Sequence, residues 1–155
     1  MLISNIKEFL KLTNNTRIIS LDIGKSKVGC AISDENHQIV TPLNVYPKKN
    51  ICTELFKTIQ EFNVGGILVG LPLLEFEKKS RSCQMIEDIT KNINKYLNDK
   101  NNELPIFFWD ESYTSFEAEE LTKKIFKNTK EQKKKLDKFA AKIILDDFFR
   151  ENINL

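Results

Sequence analysis

Apolar and polar positions change rhythm along this chain, and each change marks an element. Ile3, Ile6, Phe9 and Leu10 recur at helical spacing with Lys and Glu between them, which predicts a short leading helix ended by Asn14-Asn15. Residues 17–23, RIISLDI, carry closely spaced Ile18, Ile19 and Leu21 and read as a buried strand broken by Gly24. Lys25 and Ser26 make a turn. Lys27–Ser33 then alternates, with Val28, Cys30 and Ile32 on one side, and after "DEN" a third strand runs from Gln38 to Val45. Three strands joined by short turns form an antiparallel meander. Ile51, Leu55, Ile59 and Phe62 switch the period back to helical. "GGILVGLP" is a fourth strand, Glu77–Leu97 a long helix, and Pro105–Trp109 a fifth strand. Helices are expected over Ser115–Phe126 and Glu131–Phe149. In this order, βββαβαβαα, the later strands are linked through helices and should be parallel.

The length of 155 residues fits one compact domain, expected over 17–155 behind a helical extension at 1–16. Eleven Phe supply bulk for a core without staples. Cys30, Cys52 and Cys83 are odd in number and far apart, which argues for reduced thiols in a cytoplasmic protein and against a disulfide framework or zinc knuckle. The lone histidine, His37, lies in a turn-like stretch, so a catalytic triad or His-rich metal site is excluded. The longest apolar stretch, residues 65–74, is about half of what a spanning helix needs. Net charge is +2, yet Lys123–Lys135 holds seven Lys against one Glu. Such a run is a solvated surface or a nucleic-acid contact.

Acids stand at informative places. Asp22 closes the first strand, Asp110 and Glu111 close the fifth, and Asp137 lies early in the last helix. The C-terminal ends of parallel strands point the same way. At about 100° per residue, Ala141, Ile144 and Phe148 fall within about 40° of Asp137, so it shares an apolar face where an unpaired charge is costly. Asp146 belongs to the opposite, solvated side, and Asp147 to the flank. Gathered carboxylates repel unless a cation lies between them, and with this donor set the cation is hard: Mg²⁺ or Mn²⁺. Such a site suits phosphodiester hydrolysis, in which the ion activates a water and stabilises the leaving oxygen. Each acid also has an ordinary reading. Asp22 fits a strand-to-turn residue, Asp110 or Glu111 a helix cap, and Asp137 a lysine partner. Trp109, Tyr113 and Phe116 fit packing better than base stacking.

Four motifs, "LDIGKSKVGCAISD", "ILVGLPL", "WDESYTS" and "DKFAAKIIL", stand in the order and spacing of the YqgF/RuvX family, over roughly residues 17–150. The resemblance implies an RNase H-like α/β fold: a five-stranded mixed sheet in the order 3-2-1-4-5 with helices on both faces. It implies a Mg²⁺- or Mn²⁺-dependent nuclease acting in 5′-end maturation of pre-16S rRNA, similar in fold to Holliday-junction resolvases. On the matching motifs, Asp22, Glu111 and Asp137 are the metal-binding catalytic acids, with Asp110 their neighbour. Lys25, Arg81, Lys133, Lys134 and Lys135 are the candidate substrate contacts. The chain departs from the family pattern at Ser112, where Arg is usual, and at 74–78, where Leu-Glu-Phe-Glu-Lys replaces Asn-Met-Asp-Gly-Thr. Three other readings stay open: a branched-DNA resolvase, a non-catalytic RNA-binding assembly factor on the same fold, and an actin- or sugar-kinase-type ATPase, against which the length argues. No membrane partner is expected, and monomer and homodimer are both compatible with the sequence.

Overall fold

The computed structural model describes residues 1–72, 81–110 and 129–153, with 129–137 as helix backbone. Helix α1 (Ile6–Leu12) precedes strands β1 (Arg17–Ile23), β2 (Lys27–Ser33) and β3 (Val40–Pro47). Helix α2 (Ile51–Phe62), strand β4 (Val64–Leu71), helix α3 (Arg81–Asp99), strand β5 (Ile106–Asp110) and helix α4 (Thr129–Asn152) follow. The expected helix at 115–126 and the expected first turn of α3 lie outside the described residues.

The sheet order is β3-β2-β1-β4-β5. The β1–β2 and β2–β3 pairs are antiparallel; β1–β4 and β4–β5 are parallel. The order is the one the family resemblance implies, and the mixed directions are those expected from the order of elements. Helices cover the two faces and create two cores. Ile19, Leu21, Cys30, Ile67 and Val69 pack against α2 and α3, while Ile18, Ala31 and Leu68 pack against α1 and α4. A buried strand in a helix-covered sheet must be apolar on both faces, which is why β1 and β4 read as continuous apolar runs rather than alternating ones.

The N-terminus differs from the expected helical stripe. Ile3 is not helical. Residues 1–3 lie extended beside β5, with Ile3 N–H donating to the Ile106 carbonyl (2.8 Å) and Ile106 N–H to the Met1 carbonyl (2.8 Å). The helix starts only after Asn5, whose side chain accepts the Glu8 N–H at 3.1 Å. The edge of β5 offers these residues backbone partners that an isolated first turn lacks. Strand β3 also begins later than expected. The Asp34 carboxylate takes the N–H groups of Gln38 (2.7 Å) and Ile39 (2.9 Å), which extends the turn. At its far end β3 runs on to Pro47, tolerated because β3 is an edge strand.

His37 is structural. It is buried, its Nε2 lies 2.8 Å from the Thr16 carbonyl oxygen, and its ring stacks on Phe149 at 5.0 Å. Among the described residues no helix is long and apolar enough to cross a membrane.

Helix α1 presses tightly on β4. Phe9 is fully buried, and a Cβ on Gly66 would come within 2.3 Å of Thr13 Cγ2. Thr13 cannot swing away easily, because its hydroxyl donates to the Phe9 carbonyl at 2.9 Å. Gly66→Ala is therefore expected to cost about 1–3 kcal/mol by overpacking. Urea denaturation checks this, and an unchanged midpoint would contradict the close approach.

Candidate active site

Strand β1 brings Asp22 to the C-terminal edge of the sheet. Its even-numbered positions face α4: Ile18 lies in that core, and the Ser20 hydroxyl donates to the Ala141 carbonyl at 2.7 Å. Asp22 continues this alternation and is partly buried. Directly opposite it on β2 is Gly29. On its other side, one step beyond the Leu21–Val69 pair, is Gly70, which in turn pairs with Trp109 of β5. One rung of the sheet therefore reads Gly29, Asp22, Gly70, Trp109. Neither strand adjoining Asp22 has a side chain at its level, so the carboxylate stands in a trough with glycine on both flanks. Burial and, after it, the charge of Asp22 push the neighbouring Cys30 thiol up to about 12.

Helix α4 runs antiparallel to β1. Ala141 sits at Ser20, whereas Phe149 stacks on His37, which holds the Thr16 carbonyl near the start of β1. Position 137 is thus one turn, about 6 Å, from Ala141 toward the C-terminal edge. Asp22 is two strand residues, about 6.7 Å, from Ser20 in the same direction. Counted from the Ser20–Ala141 bond, position 137 and Asp22 both lie toward the C-terminal edge of the sheet. Ala140 and Ala141, both buried, allow the helix to approach this closely.

The remaining sequence candidates are distributed as follows. Asp110 is exposed and shares the alternation of Ile106 and Phe108, which face α2 and α3, so it stands on the side of the sheet opposite Asp22. Glu111 and Ser112 lie outside the described residues, as does the 74–78 loop. Lys25 is exposed in the β1–β2 turn, three residues past Asp22. Arg81 is exposed in the first turn of α3, and the Cys83 thiol, 3.2 Å from the Pro72 carbonyl, holds that turn beside the end of β4. Lys133, Lys134 and Lys135 belong to the part of α4 that precedes position 137. Among the described residues no group of three metal-binding side chains occurs; two of the three expected acids are not in that set.

Sequence reasoning missed the role of Asp147. Its side chain is 16% exposed, accepts the Trp109 indole N–H at 3.2 Å and pairs with Arg150. Trp109 itself packs edge-on against Phe148 at 5.3 Å, as the packing reading expected. Helix α4 is thereby tied to β1 through Ser20 and to β5 through Trp109. Asp146, on the solvated side, pairs with Lys142.

The family model described as "RuvX: Holliday junction resolvase" matches residues 16–151. The chain belongs to the RuvX (YqgF) family. Its relatives include proteins named "Putative pre-16S rRNA nuclease". That of Pelagibacter ubique is 35% identical over 144 residues, covering 90% of this chain and 92% of the relative. That of Rickettsia bellii is 33% identical over 154 residues, covering 94% of each. Among solved structures, T. thermophilus RuvC in complex with a Holliday junction substrate aligns with a TM-score of 0.52 at 10% identity, over 88% of this chain and 95% of that one. The yeast mitochondrial resolvase Ydc2 aligns at 0.51 with 13% identity, over 93% and 84%. These two likenesses establish the RNase H-like fold of this RuvX-family chain.

Two outcomes follow from the site's surroundings. Ser20→Ala removes the hydroxyl bridging β1 and α4 and should lower stability by about 1 kcal/mol, measured by denaturant unfolding. The second concerns pH. The folded Cys30 thiol holds its proton above the ordinary value of 9.0, so the unfolded chain releases it first as pH rises. Stability from this thiol is complete below pH 9 and is lost between about pH 9 and 12. Cys30→Ala should flatten the fall in Tm over that window relative to the native chain; parallel curves would count against it.

Proposed function

We propose that this protein is a divalent-metal-dependent nuclease that hydrolyses phosphodiester bonds, with Asp22, Glu111 and Asp137 as its metal-binding acids. The observation that supports the reading is the Ser20–Ala141 hydrogen bond, two strand residues from Asp22 and one helical turn from position 137, both counted toward the same edge. Acids gathered at that edge would need a positive partner, and hard carboxylate oxygens fit Mg²⁺ or Mn²⁺. The glycine flanks of Asp22 leave room for an ion and a phosphate. Glu111 is favoured over Asp110 as the third acid, because Asp110 stands on the side of the sheet opposite Asp22 and Glu111 is the acid of the matching family motif.

The ion, when bound, would supply Lewis-acid activation of water and stabilisation of the leaving oxygen. The chain's own part is positional. Asp22 is held by a central strand paired on both sides, which fixes its oxygens before substrate arrives. Lys25 stands at the same edge with an ammonium for a phosphate oxygen. The substrate we infer is precursor 16S rRNA near its 5′ end, on the strength of the named relatives at 33–35% identity. The RuvX description makes a branched DNA the second reading.

The test is cleavage of a pre-16S 5′ leader RNA and of a four-way DNA junction with Mn²⁺, comparing the native chain with Asp22→Asn, Glu111→Gln and Asp137→Asn. Each variant is expected to lose more than about 100-fold in rate, beyond what loss of an outer-shell partner costs. Native cleavage unaffected by Asp22→Asn would end the metal-site reading. Binding of RNA without cleavage by any form would make this an assembly factor.

A further inference from the structure

The C-terminal edge of the sheet carries further cations beside Lys25 and Arg81: Lys27, which lies within the first family motif, and Lys48 and Lys49, which lie outside all four. Lys27 opens β2 and pairs with Pro47 at the end of β3. It shares the alternation of Gly29 and Ala31, which places it on the Asp22 side, about 8–9 Å from Asp22 between Cα atoms by strand geometry. The next residue after β3, Lys48, donates its backbone N–H to the Ser26 carbonyl at 2.8 Å. This bond closes the β1–β2 turn, which carries Lys25, onto the start of α2. Lys48 and Lys49 therefore sit beside Lys25 although more than twenty residues separate them in the chain.

The rim continues around the edge of the sheet. Lys48 Nζ lies 3.1 Å from Met85 Sδ, and Met85 is one helical turn from Arg81. Five cations, Lys25, Lys27, Lys48, Lys49 and Arg81, thus border the same edge of the sheet, Lys27 on the Asp22 side and Lys48 and Arg81 toward the side that α3 covers. Lys25, Lys27 and Lys49 are exposed and take part in no ion pair among the described residues. Two acids on α2 and α3 are engaged within their own helices: Glu54 leans to Lys57 at 3.8 Å, and Asp88 accepts the Gln84 amide at 2.9 Å. Like charges gathered without partners destabilise each other mildly, so the rim is costly unless an extended polyanion lies along it.

We propose that Lys27, Lys48 and Lys49, with Lys25 and Arg81, form the track that grips the phosphate backbone of the nucleic acid to one side of the scissile bond. The track takes its position from the nuclease reading, which puts the scissile phosphate at Asp22. Lysine ammoniums contact phosphates as point charges and read no sequence. The track therefore supplies affinity and register, and base identity must be read elsewhere.

The experiment uses the full chain with Asp22→Asn, which holds substrate without cutting it. Fluorescence anisotropy then measures its binding to a single-stranded RNA and to a four-way DNA junction. In that background Lys27→Gln, Lys48→Gln and Lys49→Gln are combined, the Gln side chains keeping the apolar stems. A control set, Lys91→Gln, Lys95→Gln and Lys100→Gln, removes equal charge from exposed positions in and just after the later part of α3. The track variant should bind the RNA about ten- to a hundredfold more weakly at low salt, and the slope of log K against log salt should shrink by about 2. The control set should change both only slightly. An equal loss in the two sets overturns the track, because the effect is then net charge alone. The DNA arm tells which polyanion the track serves, since the backbone chemistry is shared. With Asp22 restored and Mn²⁺ present, the track variant should raise KM and leave kcat within about twofold. Cleavage with an unchanged KM overturns the track and leaves the nuclease reading intact. Track-dependent binding with no cleavage by the native chain removes the catalytic reading and keeps the track.

Discussion

Everything at the candidate site depends on how closely α4 can lie on β1. A helix normally stands off a sheet by the length of its side chains. Here Ala140 and Ala141 remove that spacer, and the Ser20 hydroxyl reaches the Ala141 carbonyl directly at 2.7 Å. A buried hydroxyl without a partner would be expensive, so this bond selects one sliding position of helix on strand. Because α4 runs antiparallel to β1, that position sends the first half of the helix, with position 137, toward the edge where Asp22 stands.

The second determinant is the parallel pairing of β1, β4 and β5. It carries the ends of three strands to one edge and aligns Asp22, Gly70 and Trp109 on one rung, which the antiparallel β2 extends with Gly29. Glycine on either side of Asp22 leaves the carboxylate open where bulky strand residues would have covered it. The same alternation separates Asp110 from Asp22 by a whole sheet thickness. Trp109, tied to Asp147 and packed on Phe148, then anchors the end of β5 to the helix that also rests on β1. One helix therefore braces both strands that lead to acids.

Much of this was legible in the chain. The switch from period two to period 3.6 located β1, β2 and α2, because burial on two helix-covered faces leaves long apolar runs that turn residues punctuate, and the family resemblance implied the sheet order. Asp22 stood out as a charge at the end of such a run. The start of the chain was misread: Ile3 fits a helical stripe, but pairing with Ile106 competes for the same backbone groups and wins. Asp147 was left undecided because a flank position on a helix acquires meaning only from the neighbour it meets, here the indole of Trp109.

Composition and period by themselves determined the alternation of strands and helices that makes an α/β fold, and the acids worth watching. Those are properties of local pattern and residue type, which a linear string records. Only the folded chain decided that Ser20 holds Ala141, that Asp110 stands on the face opposite Asp22, and that Lys48 lies against the turn that carries Lys25. Each of these rests on register, the sliding of one element against another. Register is set by a few long-range contacts between residues far apart in sequence, and nothing in the spacing of either partner encodes it.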